Sequence, residues 1–180
     1  RACKAAGLAV AGADRLKLTG DLAVRDLVAL LAFLALPEDD LALAECLRSP
    51  LFGWSEDALY RLAQPRRGYL WAALREGHAG SEAHAILSDL RDHADFLRPY
   101  DLLERMLTVH GGRERLLARL GSESAEALDA LLDEALAFEA AEVPSLTGFV
   151  EWMRADEKTI KRQEAGGAAL RVMTVHGAKG

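Results

Sequence analysis

The sequence predicts a mainly α-helical bundle with a short β-strand at each chain end. Apolar residues recur at helical spacing through most of the middle of the chain, between capping residues and helix-ending prolines or glycines. Two short apolar segments near the ends, residues 8–10 and 170–175, have the length and composition of strands. With 51% hydrophobic residues and only 5 prolines, the 180-residue chain is expected to form one globular unit with a core.

Charge and cysteine content limit the possible functions. The formal net charge of −6 argues against a positive field over the whole surface, so any DNA contact must come from local basic clusters. Cys3 and Cys46 lie far apart, without metal-ligand spacing or a disulfide framework, which is typical of the reduced cytoplasm. The longest apolar run, residues 27–36, is about half of a membrane span, and the first residues lack signal-peptide features. We expect a cytoplasmic protein without membrane contact.

The first long helix is predicted over residues 22–36. The Asp21 carboxylate can cap its first turn, and Pro37 ends it. Its sequence leaves almost no polar face, so we expect this helix to be covered on most sides and to form the centre of the core.

An acidic turn follows that helix. Glu38, Asp39 and Asp40 lie where the positive end of the next helix dipole is expected, so we interpret them as capping residues and not as catalytic acids. The next helix is predicted to end at Ser49-Pro50. Its expected apolar face consists of Leu41, Ala44 and Leu47.

Three serines mark further helix starts. Ser55 opens a short helix that Pro65 closes. Ser81 opens a longer helix that runs towards Pro99, and Ser145 caps the last helix of the bundle. Before that last helix, another predicted helix has an apolar face formed by Leu128, Leu131, Leu132, Ala135 and Leu136.

The chain leaves the bundle through Gly166-Gly167, which we interpret as a flexible joint. Residues 170–175 are too β-branched and too short for another bundle helix, and a lone strand needs a sheet to join. We therefore expect this strand and residues 8–10 to meet at the edge of a sheet, with the bundle inserted between them. Most of that sheet would lie outside this sequence, so the chain is expected to be a piece of a larger protein.

Two separated segments resemble the UvrD/Rep-type superfamily 1 DNA helicases. Residues 24–40, with the acidic turn Pro37-Glu-Asp-Asp40, continue to a Ser-Pro segment at residues 47–53, as in the lead-in to the inserted 2B subdomain of that family. Residues 172–180, Val-Met-Thr-Val-His-Gly-Ala-Lys-Gly, resemble its motif V. Ala11-Gly-Ala-Asp14, Ser49-Pro-Leu-Phe-Gly53 and Gly177 are most similar to the AddA family of helicase-nuclease subunits in bacterial double-strand break repair and recombination.

The resemblance implies a division of the chain into three parts. Residues 1–50 would begin the second RecA-like domain, 2A, and include the lead-in helices. Residues 51–165 would form the helical 2B subdomain, and residues 166–180 would return to 2A with motif V. The terminal strands would then belong to an incomplete RecA-like domain. The bundle would swing on joints near residues 50–53 and at Gly166-Gly167.

Motif V of that family lies at the seam between DNA and nucleotide, which implies that Thr174 and His176 lie near the backbone of the translocating single strand. A strand-end hydroxyl, an imidazole and turn amides are suitable phosphate donors, and Lys179 adds charge or orients the turn. The alternative is that His176 and Lys179 are simply polar residues at a strand end.

The resemblance places the chemistry of the parent protein elsewhere. ATP and Mg²⁺ would serve the parent, whereas this piece has no catalytic or nucleotide-binding residues and should not hydrolyse ATP by itself. The final Gly-Ala-Lys-Gly lacks the spacing of a phosphate-binding P-loop, and no exonuclease-like set of carboxylates is present. The implied partners of the parent are DNA, as single strand and duplex junction, and an AddB-like subunit.

Arginine clusters are the remaining candidates for DNA contact. Arg66 and Arg67, with Arg61 and nearby aromatic residues, form a surface suited to duplex phosphates or to a partner protein. Two further clusters consist of Arg113, Arg115 and Arg119, and of Lys158, Lys161 and Arg162. Each has the bland alternative of a solvated helix face. A helical protein-interaction module without DNA contact therefore stays open as a second function. The histidines lack metal-ligand spacing, and no metal site is expected.

Overall fold

The computed structural model describes residues 10–11, 15–64, 66–155, 159–161 and 170–171. In this part of the chain the fold is mainly α-helical, which confirms the predicted class. The α-helices are α1 (Leu22–Ala35), α2 (Asp40–Arg48), α3 (Glu56–Ala63), α4 (Leu70–Gly77), α5 (Glu82–Ala94), α6 (Pro99–Glu104), α7 (Gly112–Leu120), α8 (Ala125–Ala141) and α9 (Leu146–Ala155). Single 3-10 turns precede α1 (Leu18–Gly20) and α8 (Ser122–Ser124), and a π-type turn (Arg105–Val109) extends α6.

Two short strand pairs join the segment before α1 to the segment after α9. The strand β1 (Val10–Ala11) pairs in parallel with β4 (Leu170–Arg171), and β2 (Arg15–Lys17) pairs antiparallel with β3 (Thr159–Lys161). The helical body thus begins and ends at one place. Most of the predicted terminal strands, residues 8–10 and 170–175, lies outside the described residues. Their extent and their assignment to a RecA-like sheet stay predictions.

Helix α1 occupies the centre of the body, as its sequence predicts. Asp21 Oδ1 accepts a hydrogen bond from Ala23 N at 2.9 Å, which confirms the predicted cap. Nine of the 14 residues of α1 are buried, and Phe33 is completely so. The Phe33 ring meets Trp71 of α4 edge-on at 5.3 Å between centroids, and Trp71 stacks on His84 of α5. One helix therefore holds several others in a single core.

The remaining predicted caps also form. Asp39 Oδ1 accepts from Ala42 N at 2.9 Å, so this acid of the turn before α2 caps the helix. The three serine caps accept from the third residue of their helices at 3.1–3.2 Å, and these are Ser55 at α3, Ser81 at α5 and Ser145 at α9.

Three local predictions are wrong. Leu41 is 69% exposed, because α2 turns the neighbouring stripe inward, consisting of Ala42, Leu43, Cys46 and Leu47. The helix that begins after Ser81 ends at Ala94, and Pro99 opens α6 as its first residue, where the missing N–H of proline costs nothing. Leu136 is 48% exposed, because α8 is longer than its contact with the core.

The turn after α2 is held rigidly. Ser49 Oγ donates to the Cys46 carbonyl at 2.6 Å and accepts from Leu51 N at 3.2 Å, while Gly53 N donates to the Ser49 carbonyl at 2.8 Å. The Leu51 side chain is fully buried. These contacts argue against the joint predicted at residues 50–53.

A carboxylate on α5 fixes the π-type turn. Asp89 accepts two hydrogen bonds from the Arg105 guanidinium, both at 2.7 Å, and a third from His110 Nε2 at 2.7 Å. The paired hydrogen bonds from Arg105, with a smaller contribution from His110, hold the pKa of Asp89 well below its usual range. Asp89 therefore stabilises the fold above its unfolded pKa, and this stabilisation is lost as the pH falls through the lower folded pKa.

We expect Asp89→Ala to lower the free energy of unfolding by about 2 kcal/mol at pH 7, because Arg105 and His110 lose their acceptor. Urea unfolding followed by circular dichroism measures this change. Asp92→Ala is the matched control, because Asp92 is an exposed carboxylate on the same helix, and its cost should stay within about 0.5 kcal/mol. Equal losses in the two variants would contradict the role of the Asp89 cluster.

Candidate functional site

The motif V candidates fall in a part of the chain that the structure leaves undescribed. Thr174, His176 and Lys179 lie outside the described residues, as does the Gly166-Gly167 joint. In the third basic cluster, Lys161 ends β3 and its side chain is not described, while Lys158 and Arg162 also lie outside. The basic surfaces that the structure does describe are a loop between α3 and α4 and a cleft beside α1.

The arginine loop, residues 64–69, carries Arg66 and Arg67. Arg66 Nη2 donates to Asp40 Oδ2 at 2.7 Å, and Arg66 Nη1 donates to the Ala63 carbonyl at 2.8 Å. Asp40 Oδ1 also accepts from Leu70 N at 2.6 Å, which caps α4 from a neighbouring helix. Arg66 therefore connects α2 to the loop, and this internal role competes with its predicted contact to DNA.

Arg67 differs from its neighbour. Its side chain is exposed, and within the described part of the chain it makes no ion pair or side-chain hydrogen bond. Tyr60 and Tyr69, 66% and 56% exposed, lie on either side of the arginine loop in the sequence. Exposed aromatic rings beside a free guanidinium suit either nucleobases or a protein partner.

The second predicted cluster is divided in the same way. Arg113 pairs with Asp129 of α8, and Arg115 pairs with Glu82 of α5 while donating to the Leu51 carbonyl at 3.0 Å. These contacts fasten α7 to the body. Arg119, in the last turn of α7, is exposed and available to a ligand.

A cleft of about 1300 Å³ opens between the start of α1, the end of α2, the turn after α2, α7 and the end of α9. We call it the arginine cleft, because five of its lining residues are arginines and only Asp26 and Glu45 are acids. The arginines are Arg25, Arg48, Arg115, Arg119 and Arg154. The cleft thus has an excess of three positive charges in a chain whose net charge is −6.

Sequence reasoning missed most of this surface. Arg25, Arg48 and Arg154 are isolated basic residues in the sequence, and only packing brings their helices to one cleft. The available signal was their position, since Arg48, Arg119 and Arg154 all lie in the last turn of a helix. Cations favour such positions in many folds, so the signal does not by itself indicate a site.

Asp26 is the unusual titratable group of the cleft. Burial raises the pKa of its carboxyl to about 6, and Glu45 and Asp21 add to the rise while Arg25 opposes it. Burial also raises the pKa of the Cys46 thiol, which leaves it a core residue without thiolate character. Among the described residues, no group of histidine, cysteine and acidic side chains is placed to hold a metal ion. No helix in this part of the chain is both long and apolar enough to cross a bilayer.

Comparison with known proteins gives the class. No family model matches the chain. Curated proteins that are similar to it are subunits of ATP-dependent helicase/nucleases, which confirms the resemblance predicted from the two sequence segments.

The similar proteins are three AddA subunits from lactobacilli. The AddA subunit of the ATP-dependent helicase/nuclease of Lactobacillus acidophilus is 28% identical over 160 residues, which is 80% of this chain and 13% of that protein. The corresponding subunits of Lactobacillus helveticus and Lactobacillus delbrueckii are each 26% identical over the same shares. The chain thus spans about 13% of the length of the curated relatives that it matches.

We expect the stability of the chain to fall as the pH rises from about 4 to 6. Asp26 keeps its proton in the folded chain up to a pKa of about 6, whereas its unfolded value is 3.8, so the folded state binds more protons in this window. Asp26→Asn removes the penalty, and at pH 8 it should raise the free energy of unfolding by about 1 kcal/mol, discounted for partial exposure.

Urea unfolding at pH 4 and pH 8 checks this. At pH 4 the variant and the parent chain should be equally stable. Asp92→Asn, an exposed carboxylate, serves as the control and should show no such pH-dependent gap. A gap of the same size at both pH values would mean that the Asp26 charge is not its cause.

Proposed function

We propose that the chain is the helical insertion of the AddA subunit of an ATP-dependent helicase/nuclease, with a DNA-facing and conformational role in its parent. The similarity to such subunits over 80% of the chain carries this proposal. The strand pairs β1–β4 and β2–β3 support it, because a body whose two ends meet can be inserted between neighbouring strands of another domain.

The proposed role of the body is to move as one piece. Apolar residues from α1 through α9 form a single cluster, so helices before and after residue 50 share one core. Bending inside that core would break packing, whereas rotation at its connections to the parent would not. We place the moving joint at the segments beside β2 and β3, and we drop the joint at residues 50–53.

In this proposal the chemistry lies in the rest of the parent. ATP and Mg²⁺ would bind outside this chain and would supply the energy for movement of the single strand, and a nuclease site would also lie elsewhere. Thr174, His176 and Lys179 would contact the phosphate backbone of that strand. The second subunit, AddB-like, would be a partner of the parent and not of this piece alone.

The arginine loop gives a test within the chain. Because Arg67 has no internal partner among the described residues, Arg67→Ala should weaken binding of forked DNA about threefold at low salt and reduce the salt dependence by about one phosphate contact. Its free energy of unfolding should stay within about 0.5 kcal/mol. Fluorescence anisotropy over a salt series and urea unfolding measure both quantities.

Arg66→Ala is the matched variant, with the same change in charge one residue away. It should cost about 1 kcal/mol of stability, because Asp40 and the Ala63 carbonyl lose their donor. Salt-insensitive binding, or no binding of forked DNA by the unaltered chain, would contradict DNA contact. That result would favour the second candidate, a helical protein-interaction module, for which the exposed Tyr60 and Tyr69 offer contact area.

His176 is tested in the full-length parent. His176→Ala should lower the DNA-stimulated ATPase rate about tenfold, the loss expected for one hydrogen bond to a charged phosphate. The ATPase rate without DNA and the thermal unfolding temperature should not change. Unchanged DNA stimulation would remove His176 from the proposed DNA contact.

A further inference from the structure

We propose that the arginine cleft binds the phosphate backbone of a nucleic acid strand. The cleft is lined from five different elements of the body, and no sequence motif marks it. Its volume, about 1300 Å³, far exceeds that of a single phosphate and suits an extended polyanion. The choice of nucleic acid over an acidic protein segment rests on the proposed function.

The arginines of the cleft divide into two groups. Arg48 donates to the Trp54 carbonyl and to Glu56, and Arg115 donates to the Leu51 carbonyl and to Glu82, so these two arginines hold the cleft wall in place. Arg25, Arg119 and Arg154 are exposed. Within the described residues, none of these three makes an ion pair or a side-chain hydrogen bond, so their guanidinium groups are available to phosphates.

The charge balance of the cleft stays positive when its other charges are included. Asp26 and Glu45 oppose the arginines. The ends of α2, α7 and α9 each add about half of a negative charge, and the start of α1 adds about half of a positive charge. The sum is about two positive charges. A role for the arginines in capping the helix ends alone would require none of them to be left free for an anion.

The position of the cleft also fits a nucleic acid track. Thr19 and Ala155, which line it, are the points at which the helical body meets the strand pair β2–β3. In the proposed parent this is the side that faces the motor domain. A strand held in the cleft would therefore lie beside the segment that carries the expected phosphate contacts.

The test is fluorescence anisotropy of the full chain with a labelled single-stranded oligonucleotide over a salt series. The triple variant Arg25→Gln, Arg119→Gln and Arg154→Gln should bind at least tenfold more weakly at low salt. The slope of log K against log salt should fall by about 2, as three contacts at about 0.7 each predict. The variant Arg25→Lys, Arg119→Lys and Arg154→Lys keeps the charge and should recover most of the binding. Circular dichroism checks that each variant is folded.

The control triple is Arg61→Gln, Arg67→Gln and Arg75→Gln, which removes the same charge from exposed residues outside the cleft lining. If the control triple loses binding and the cleft triple does not, the cleft proposal is overturned while DNA contact through the arginine loop stands. If the unaltered chain does not bind at all, both proposals fall. Competition by polyglutamate of equal charge, as effective as unlabelled oligonucleotide, would overturn the assignment to nucleic acid.

Discussion

Helix α1 is covered by apolar side chains on nearly every side, and this burial determines how the other helices are arranged. A leucine moved fully from water to such a core contributes about 1.5–3 kcal/mol, and α1 contains several that are completely or almost completely buried, including Leu27, Leu30 and Leu31. Helices α2, α8 and α9 pack against it directly. The remaining helices join the same core, so residues on both sides of the proposed 2A–2B boundary fold as one body.

That shared core affects how a moving role can be understood. A helical body that swings must keep its internal packing and place its bending elsewhere. The Asp89 cluster at the π-type turn and the hydrogen-bonded turn after α2 both make the body stiffer. The connections through β2 and β3 are short and involve few residues, so they are the physically cheaper place for rotation.

The sequence predicts the elements of this fold well because its signals are local. A cap requires only an acceptor and the next few residues, which is why Asp21, Asp39 and the serines are identified correctly. Which face of a helix is buried depends on its neighbours, and the prediction fails there. Leu41 has the right spacing for a buried stripe, but α2 places its neighbour Ala42 in the core instead. Pro99 illustrates the same limit, since a proline ends one helix or opens another according to the chain around it.

The basic surfaces follow the same distinction between local and distant information. Arg66 and Arg67 are adjacent in sequence, yet one is fixed by Asp40, which lies 26 residues earlier, and the other is free among the described residues. In the arginine cleft the opposite occurs, because Arg25, Arg119 and Arg154 are unremarkable in sequence and acquire a shared environment only through packing. In a chain of negative net charge, a positive region must be assembled from dispersed residues. Folding can concentrate a few arginines while the acids are used elsewhere as caps and ion-pair partners, and this gives an acidic protein a defined place for a phosphate backbone.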